Sequence, residues 1–368
     1  MDSVVSSLSL AYLLHLQNIH TKNLKTSHIP LINIPRSDLS LRTEITHALN
    51  VTYPTSSTSE GILPALTFMD EIDLKSLIEN NKNTTISITD HNRLSPSQEW
   101  LAPYITRIID HHQNEHLYSN VLERIIEPVG SCTSLVVKLW QKNSFCTAEL
   151  MNEPNLSTLF LTPILIDTVN FNITFDRTKP MDISSRNYLK SISGMTNESM
   201  NNLFEELQTA KFSLDRLSSR DLLRKDYKDV IVNGYKLGIS SVTWYLQGSK
   251  GWLERDGSDQ LWNDIESWTK ENHLDVGALM TAYEFPLNEG GFQRFLWVWC
   301  GNNISKSQCE FILNEIEKNS TLKLTNGISG GWVKHGKFWI QKNITASRKQ
   351  ISPALVDILK SLPSKSKS

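Results

Sequence analysis

The sequence lacks the features that mark membrane, secreted and disordered proteins. Its 368 residues contain no apolar run near the roughly eighteen residues of a transmembrane helix, and no basic leader with a cleavage site opens the chain. Hydrophobic residues make up 39% of the chain, which is enough for at least one core at a length that favours two domains. We therefore predict a soluble, intracellular protein.

Cysteine is scarce and scattered. No two of the four cysteines have CxxC spacing, and they lie at Cys132, Cys146, Cys300 and Cys309. In a chain of this length, that pattern favours free thiols in a reducing compartment over a disulfide framework.

Neither sign of charge is in excess overall. The 37 basic and 39 acidic residues give a net charge of −2, which excludes a uniformly basic nucleic-acid coat and an acidic solvating tail. Residues 331–368, however, hold eight Lys or Arg and one acid, Asp357, so their balance of +7 leaves −9 for the rest. This basic C-terminal face favours an anionic ligand, although we interpret Lys365 and Lys367 as a solvated tail.

Short apolar runs alternate with amphipathic stretches in the first half of the chain. This pattern is typical of a parallel sheet with crossover helices, so we predict an α/β domain. The predicted strands are 28–34, 65–69, 84–89 and 105–109. The predicted helices are about 3–17, 39–49, 71–79, 132–143 and 155–166.

Tryptophan distinguishes the second half. Eight of the ten tryptophans lie beyond residue 240, among them those of the strand-like run FLWVW, which indicates a separate core. A polar segment over about 176–215 includes a helix-like stretch, and we take 191–215 as the connector. The predicted domains are therefore 1–190 and 216–368.

Acids and histidines follow two of the predicted strands. Asp90 comes after ISIT, and the triplet Asp110, His111 and His112 comes after TRII. Because open α/β sheets bind ligands at the carboxyl ends of their strands, these side chains should converge on one crevice. A single histidine at a strand end is usually an ordinary polar residue, but that explanation is weaker for a pair that follows an acid.

Two further acids complete the candidate set. Asp167 ends the apolar run LFLTPILID, and Asp2 precedes the first helix, where its plainest role is an N-cap. Carboxylates and imidazoles without thiolates favour Mg²⁺, Mn²⁺ or Co²⁺ over a structural zinc. If one carboxylate bridges two such ions, the pair can activate water for phosphoryl displacement.

These motifs resemble those of the DHH phosphoesterase family. DHH at 110–112, DHN at 90–92 and IDT at 166–168 match the N-terminal domain, and SRKQISP at 347–353 is similar to the SRK motif of the second DHH-associated domain. Four further stretches look most like fungal exopolyphosphatases and their prune-like animal relatives, rather than the manganese-dependent pyrophosphatases: 31–44, 70–74, 208–212 and 222–228.

The resemblance implies the architecture and the metal ligands. It implies a parallel-sheet domain, then a smaller α+β domain, with the active site in the cleft between them. The implied ligands are Asp2, Asp90, His111 and Asp167, with Asp90 bridging two ions. Asp110 would orient its neighbours instead of binding metal directly.

Substrate contacts are implied in the same way. His112 would face the substrate and assist the leaving group, and three cations would bind phosphate: Lys211, Arg348 and Lys349. The last two also fit this role by their chemistry, since an Arg fork matches phosphate oxygens and an Arg-Lys pair ahead of a proline suits a fixed loop. The run at 130–140 should begin a helix whose amides either contact an anion or are capped by Ser131 and Thr133.

The start of the chain departs from the family pattern. Family members open with a strand that ends in D-x-D-S, whereas this sequence begins Met1-Asp2-Ser3. We therefore expect the first strand and the first acid of the pair to be missing. One of the two metal positions would then be weak or lost, and turnover would fall.

The resemblance implies an exopolyphosphatase that removes the terminal phosphate of linear polyphosphate with Mn²⁺ or Mg²⁺. Pyrophosphate or nucleotide hydrolysis, and a catalytically impaired regulatory protein, are the alternatives that stay open. We expect no nucleic-acid or membrane partner and, by default, a cytoplasmic location. A mitochondrial form is compatible with the same residues.

Overall fold

The structure is a computed structural model that describes residues 1–23, 25–54, 65–215, 217–244, 246, 251–284, 291–326 and 336–365. It divides the chain into two units, Met1–Ser213 and Leu214–Ser368, so the boundary falls within the predicted connector. Among the described helices, none combines the length and the apolar character that a membrane span requires.

Parallel strands form the sheets of the first unit. They are β1 (Leu31–Ile32), β2 (Thr67–Phe68), β3 (Ile86–Thr89), β4 (Ile105–Asp110) and β5 (Glu123–Ile126). β1 pairs with β2, and β4 lies between β3 and β5 in a separate ladder. The sequence predicts the first four strands but misses β5, because its half-buried residues form neither an apolar run nor a clear alternation.

Helices surround these strands and build the main core of the unit. They are α1 (Asp2–His20), α2 (Thr43–Thr52), α3 (Leu74–Asn80), α4 (Cys132–Gln141), α5 (Ser144–Asn152), α6 (Pro154–Asp167), α7 (Pro180–Ser193) and α8 (Asn197–Phe212). Residues 159–166 of α6 are all buried, as expected of a helix that is apolar on every side. Pro163 cannot donate to the Leu159 carbonyl one turn earlier, but the Thr162 hydroxyl does so at 2.8 Å.

The helix-like stretch of the predicted connector is α8. Met200, Leu203 and Leu207 recur at helical spacing along it, and all three are buried in the main core of the first unit. This part of the connector therefore packs as an element of the first unit.

A mixed sheet with helices on both faces forms the second unit. Its strands are β6 (Tyr227–Val232), β7 (Tyr235–Val242), β8 (Val276–Glu284), β9 (Phe292–Cys300), β10 (Leu324–Asn326) and β11 (Gly336–Gln341). Its helices are α9 (Ser219–Lys225), α10 (Trp252–Asp256), α11 (Ser258–Glu271), α12 (Lys306–Glu317) and α13 (Arg348–Ser361). The described strands lie in the order β10-β11-β9-β8-β7-β6, and only the β7–β8 pairing is parallel.

The tryptophans of β9 are packing residues, as their alternation predicts. Trp297 and Trp299 are buried in the core that contains α11, whereas Leu296 and Val298 face the core built with α12 and α13. The many tryptophans of the second half are thus explained by a sheet that has both of its faces buried and therefore needs apolar residues on each.

The prediction of four free thiols is wrong for one pair. Cys300 at the end of β9 and Cys309 in the first turn of α12 form a disulfide, with their Cα atoms 5.9 Å apart. The turn between β9 and α12 brings the two cysteines together. A search of the sequence for CxxC spacing does not detect this pair, because the two cysteines are nine residues apart. Cys132 and Cys146 are free and buried.

The solvated-tail interpretation is wrong for Lys365. Its ammonium group lies 2.6 Å from Asp275 Oδ1, and its backbone amide donates to the Asn233 carbonyl. The side chain of Asp275 is only 3% exposed, and such a buried carboxylate requires a partner. Lys367 lies outside the described residues.

Candidate metal centre

The carboxyl ends of β3 and β4 bring the first group of candidate residues together. Asp90 follows β3, and its φ of 64° turns the chain sharply there. His111, just past β4, places Nε2 3.2 Å from Asp90 Oδ1, and His112 Nδ1 lies 4.0 Å from the same oxygen. The strand ends meet in this way because β3 and β4 are parallel neighbours.

Asp110 is fully buried and orients both histidines. Its Oδ1 accepts hydrogen bonds from the His111 amide, the His112 amide and the His112 ring, and its Oδ2 accepts from Asn92. Burial alone would raise the pKa of Asp110, but these bonds outweigh burial and lower the pKa below its usual value. With both oxygens engaged, Asp110 is better suited to positioning than to metal binding.

His111 is held with one ring nitrogen facing the acids. Nδ1 lies 2.9 Å from the Val129 carbonyl, which can only accept, so Nδ1 carries the proton and Nε2 faces Asp90. Burial would lower the pKa of His111, but the hydrogen bond to Asp90, the Val129 carbonyl and the charge of Asp2 raise it to about 9. This is the usual arrangement of a histidine that binds metal through Nε2.

Asp2 caps α4, and the prediction that it caps its own helix is wrong. No side chain caps the start of α1. Asp2 Oδ1 accepts from the Ser131 hydroxyl and from the amide and hydroxyl of Thr133, and Oδ2 accepts from the Cys132 amide at 2.6 Å. The amides of α4 therefore contact an anion, which is the carboxylate of this chain itself. Oδ2 also lies 3.9 Å from His111 Nε2.

Asp167 ends α6 with an unsatisfied oxygen. Its Oδ2 is buried and has no hydrogen-bond partner within the described part of the chain. Burial and the charges of Asp2 and Asp90 raise the pKa of Asp167 to about 7, although the positive charges of the N-terminal amino group and, to a smaller extent, of Lys211 oppose this. Such a group is costly to leave unpaired, and its presence indicates that a ligand completes the site.

An open pocket of about 450 Å³ joins these residues. Its lining includes Asp2, Asp90, His111, His112 and Asp167, together with residues that the sequence did not single out: Met1, Val129, Gly130, Asp176, Arg177 and Lys179. Four atoms of pocket-lining residues could still bind a cation: Asp90 Oδ1, His111 Nε2, Asp167 Oδ2 and Asp2 Oδ2, which already accepts one hydrogen bond from the Cys132 amide. Three carboxylate oxygens and one imidazole nitrogen suit a hard or borderline divalent cation, so the residues fit the metal that the motifs imply.

Sequence reasoning missed two residues that support the pocket. The Ser3 hydroxyl donates to Asp90 Oδ2 at 2.5 Å, and Asn92 donates to Asp110. Both lie within two residues of a candidate ligand, so their proximity in the sequence was the available signal. Their hydrogen bonds hold the carboxylates in place.

The predicted phosphate-binding pair of the second unit lies in a helix, so the fixed-loop prediction is wrong. Arg348 and Lys349 are the first residues of α13, because Ser347 and Gln350 form a capping box that starts the helix there. Arg348 donates to the carbonyl and the carboxylate of Asp226 at 3.0 and 2.7 Å. Lys349 is exposed.

Comparisons with known proteins identify two family domains in the chain. Residues 1–165 match the N-terminal domain of the DHH family, and residues 205–358 match the DHHA2 domain. Exopolyphosphatase PRUNE1 of Mus musculus is 30% identical over 362 residues, which cover 98% of this chain and 73% of that protein.

Two further relatives belong to other organisms. A putative exopolyphosphatase of Schizosaccharomyces pombe is 28% identical over 376 residues, covering 99% of this chain and 90% of that protein. A manganese-dependent inorganic pyrophosphatase of Methanocaldococcus jannaschii is 28% identical over 173 residues, covering 45% of this chain and 54% of that protein. The chain therefore belongs to the DHH family, with an N-terminal DHH domain followed by a DHHA2 domain.

Proposed function

We propose that the protein is a metal-dependent phosphoanhydride hydrolase that releases inorganic phosphate from the end of linear polyphosphate. The observation that carries the proposal is the buried, unpartnered Oδ2 of Asp167 in a pocket shared with Asp2, Asp90 and His111. Like charges buried together are unfavourable unless a cation compensates them. The relatives named as exopolyphosphatases support the choice of substrate.

Asp2, Asp90, His111 and Asp167 would hold the metal ion. When bound, such an ion makes water a better nucleophile and neutralises charge on the phosphoryl group. The manganese-dependent relative favours Mn²⁺, with Mg²⁺ and Co²⁺ as further candidates. Since Asp110 and Asp2 Oδ1 are engaged and Asp2 Oδ2 already accepts one hydrogen bond, the atoms that are left suffice for one ion, and we propose one tight ion in place of a pair.

His112 would protonate the leaving phosphate. Its side chain is 59% exposed, and its Nδ1 lies 2.8 Å from the buried carboxylate of Asp110. The contact with Asp110 engages Nδ1 and fixes the ring, so that Nε2 is the nitrogen left to face the substrate. Asp110 would thus orient His112 as the acid of a catalytic triad orients the catalytic histidine in other hydrolases.

Three cations would bind the phosphates of the substrate. Lys211 lies close enough to act electrostatically on Asp167 in the first unit. Arg348 and Lys349 stand at the start of α13 in the second unit, where Asp226 already fixes the Arg348 guanidinium. Fixing the guanidinium in advance reduces the entropy that is lost when phosphate binds.

Pyrophosphate is the second candidate substrate, because one relative is named as an inorganic pyrophosphatase. Phosphate release from tripolyphosphate, long-chain polyphosphate and pyrophosphate, each with Mn²⁺, Mg²⁺ or Co²⁺, tests both possibilities. We expect release from polyphosphate that EDTA abolishes. Faster release from pyrophosphate would change the substrate assignment.

Two variants make the experiment specific to the site. Asp167→Asn removes a proposed ligand and should abolish release, whereas Lys142→Ala removes an exposed charge at the end of α4 and should not. If the folded wild-type protein released no phosphate from any of these substrates with any of the three metals, the proposed function would be wrong.

A further inference from the structure

Two cations at the metal pocket have no role in the function described so far. Arg177 and Lys179 lie between α6 and α7, and both line the pocket that contains Asp90, His111 and Asp167. We propose that Arg177 and Lys179 bind phosphoryl oxygens of the substrate, from within the DHH domain. The inference deepens the proposed function and rests on it.

The backbone just after Asp167 is folded back by an unusual turn. Val169, Asn170 and Phe171 have φ values of 51°, 52° and 60°, a left-handed conformation that costs energy for residues other than glycine. Hydrogen bonds hold it, because the Asn170 amide donates to the Leu165 carbonyl at 2.7 Å and the Phe171 amide donates to the Thr168 hydroxyl at 3.1 Å. Strained backbone of this kind is concentrated at functional sites.

A buried carboxylate fixes the segment that follows. Asp182 is fully buried, and its Oδ2 accepts from the Lys179 amide and from the Gly130 amide, both at 2.8 Å. Its Oδ1 accepts from the Ser134 hydroxyl at 2.6 Å. Asp182 thus ties the backbone of Lys179 to the start of α4, which is the same helix end that Asp2 caps.

Close backbone packing reinforces this connection. A Cβ atom at Gly130 would lie 2.5 Å from the Arg177 carbonyl oxygen and 2.7 Å from Thr168 Cγ2. No residue other than glycine fits there without moving the Arg177 backbone. The segment is therefore held in a defined position beside the pocket.

The two side chains are available to bind an anion. Arg177 is exposed, and no other described group bonds its side chain. Lys179 Nζ donates to Asp176 Oδ1 at 3.0 Å and to the Asp176 carbonyl oxygen at 3.2 Å, but the Asp176 side chain is 93% exposed, so both contacts are with a solvated residue and are readily exchanged. A guanidinium fork fits two phosphate oxygens and an ammonium acts as a point charge, so the pair can contact one or two phosphoryl groups.

Binding of methylenediphosphonate, a pyrophosphate analogue with a non-hydrolysable bridge, tests the inference by isothermal titration calorimetry with Mn²⁺ present. We expect Arg177→Ala and Lys179→Ala each to weaken binding about tenfold, the effect of one lost charge-assisted hydrogen bond. Arg177→Lys should give an intermediate loss, because it keeps the charge but not the fork.

Lys190→Ala is the matched control, since Lys190 lies on α7 and bonds to Asn197 away from the pocket lining. It should bind the analogue as tightly as the wild type. Mn²⁺ affinity, titrated separately, should be the same in all of these variants. In polyphosphate hydrolysis, the two alanine variants should raise KM more than they lower kcat.

The outcomes separate this inference from the proposed function. If the alanine variants bound the analogue as the wild type does, or if the wild type did not bind it, Arg177 and Lys179 would have no such role. Phosphate release by the wild type would still support the hydrolase. If the wild type bound the analogue through these residues but hydrolysed no phosphoanhydride, the anion site would stand and the hydrolase would not.

Discussion

Asp2 Oδ1 accepts hydrogen bonds from both the amide and the hydroxyl group of Thr133, at 2.9 and 2.6 Å. The two residues are 131 positions apart, and their contact joins the first helix to the start of α4. The other oxygen of Asp2 faces His111. One carboxylate therefore takes part both in the core of the DHH domain and in its candidate metal centre.

Asp2→Ala should destabilise the protein even without metal. The substitution leaves the buried amides and hydroxyls at the start of α4 without an acceptor, at a cost of about 2 kcal/mol. The matched control is Asp73→Ala, which removes an exposed N-cap from α3 and should cost about 1 kcal/mol or less. Urea unfolding in EDTA measures both, and an equal or smaller loss for Asp2→Ala would contradict the capping role.

Asp167→Asn should stabilise the metal-free protein in a pH-dependent way. The pKa of Asp167 is about 7 in the folded chain and near its ordinary value, about 4, in the unfolded chain. The folded state therefore holds the proton more tightly, and the carboxyl group destabilises the fold increasingly as the pH rises from about 4 to 7. In EDTA, the gain in Tm of Asp167→Asn over wild type should be larger at about pH 8 than at about pH 5. A gain that is independent of pH, or larger in acid, would contradict this account.

Metal binding should release protons. At about pH 7.5 the metal-free site holds a proton on His111, whose pKa is about 9, and a fraction of one on Asp167, whose pKa is about 7. A metal ion requires both groups deprotonated, so Mn²⁺ affinity should rise with pH up to about 9. Calorimetry in two buffers of different ionisation enthalpy measures the release, which we expect to be about one proton per ion. Heats that do not depend on the buffer would exclude His111 as a ligand.

Lys349→Ala should weaken the use of long polyphosphate more than that of short. An exposed ammonium group at the start of α13 adds contacts that only an extended polyanion can make. The KM for long chains should rise severalfold and the KM for tripolyphosphate less. Lys360→Ala is the control, because Lys360 lies on the same helix and pairs with Asp357 at 3.0 Å. Equal effects on long and short chains would argue against an extended polyanion site.

The local sequence pattern was enough to predict where much of the candidate site lies. Asp90 and the DHH triplet follow apolar strands, and parallel strands place such residues at one edge of a sheet. The apolar run before Asp167 forms a buried helix, as expected of a helix that has apolar residues on every side. The metal-binding role of these residues remains a prediction, and the structure contributes the free ligand atoms that make it specific.

The sequence by itself determined the α/β character of the first half and the two-domain order, and it predicted which acids and histidines form the candidate metal centre, because each depends on residues close together in the chain. Only the tertiary structure decided which groups Asp2 and Asp182 cap, that Cys300 pairs with Cys309, and that Lys365 meets a buried acid. Those contacts satisfy buried polar groups or join distant elements, and no local periodicity specifies which partner the folded chain brings near.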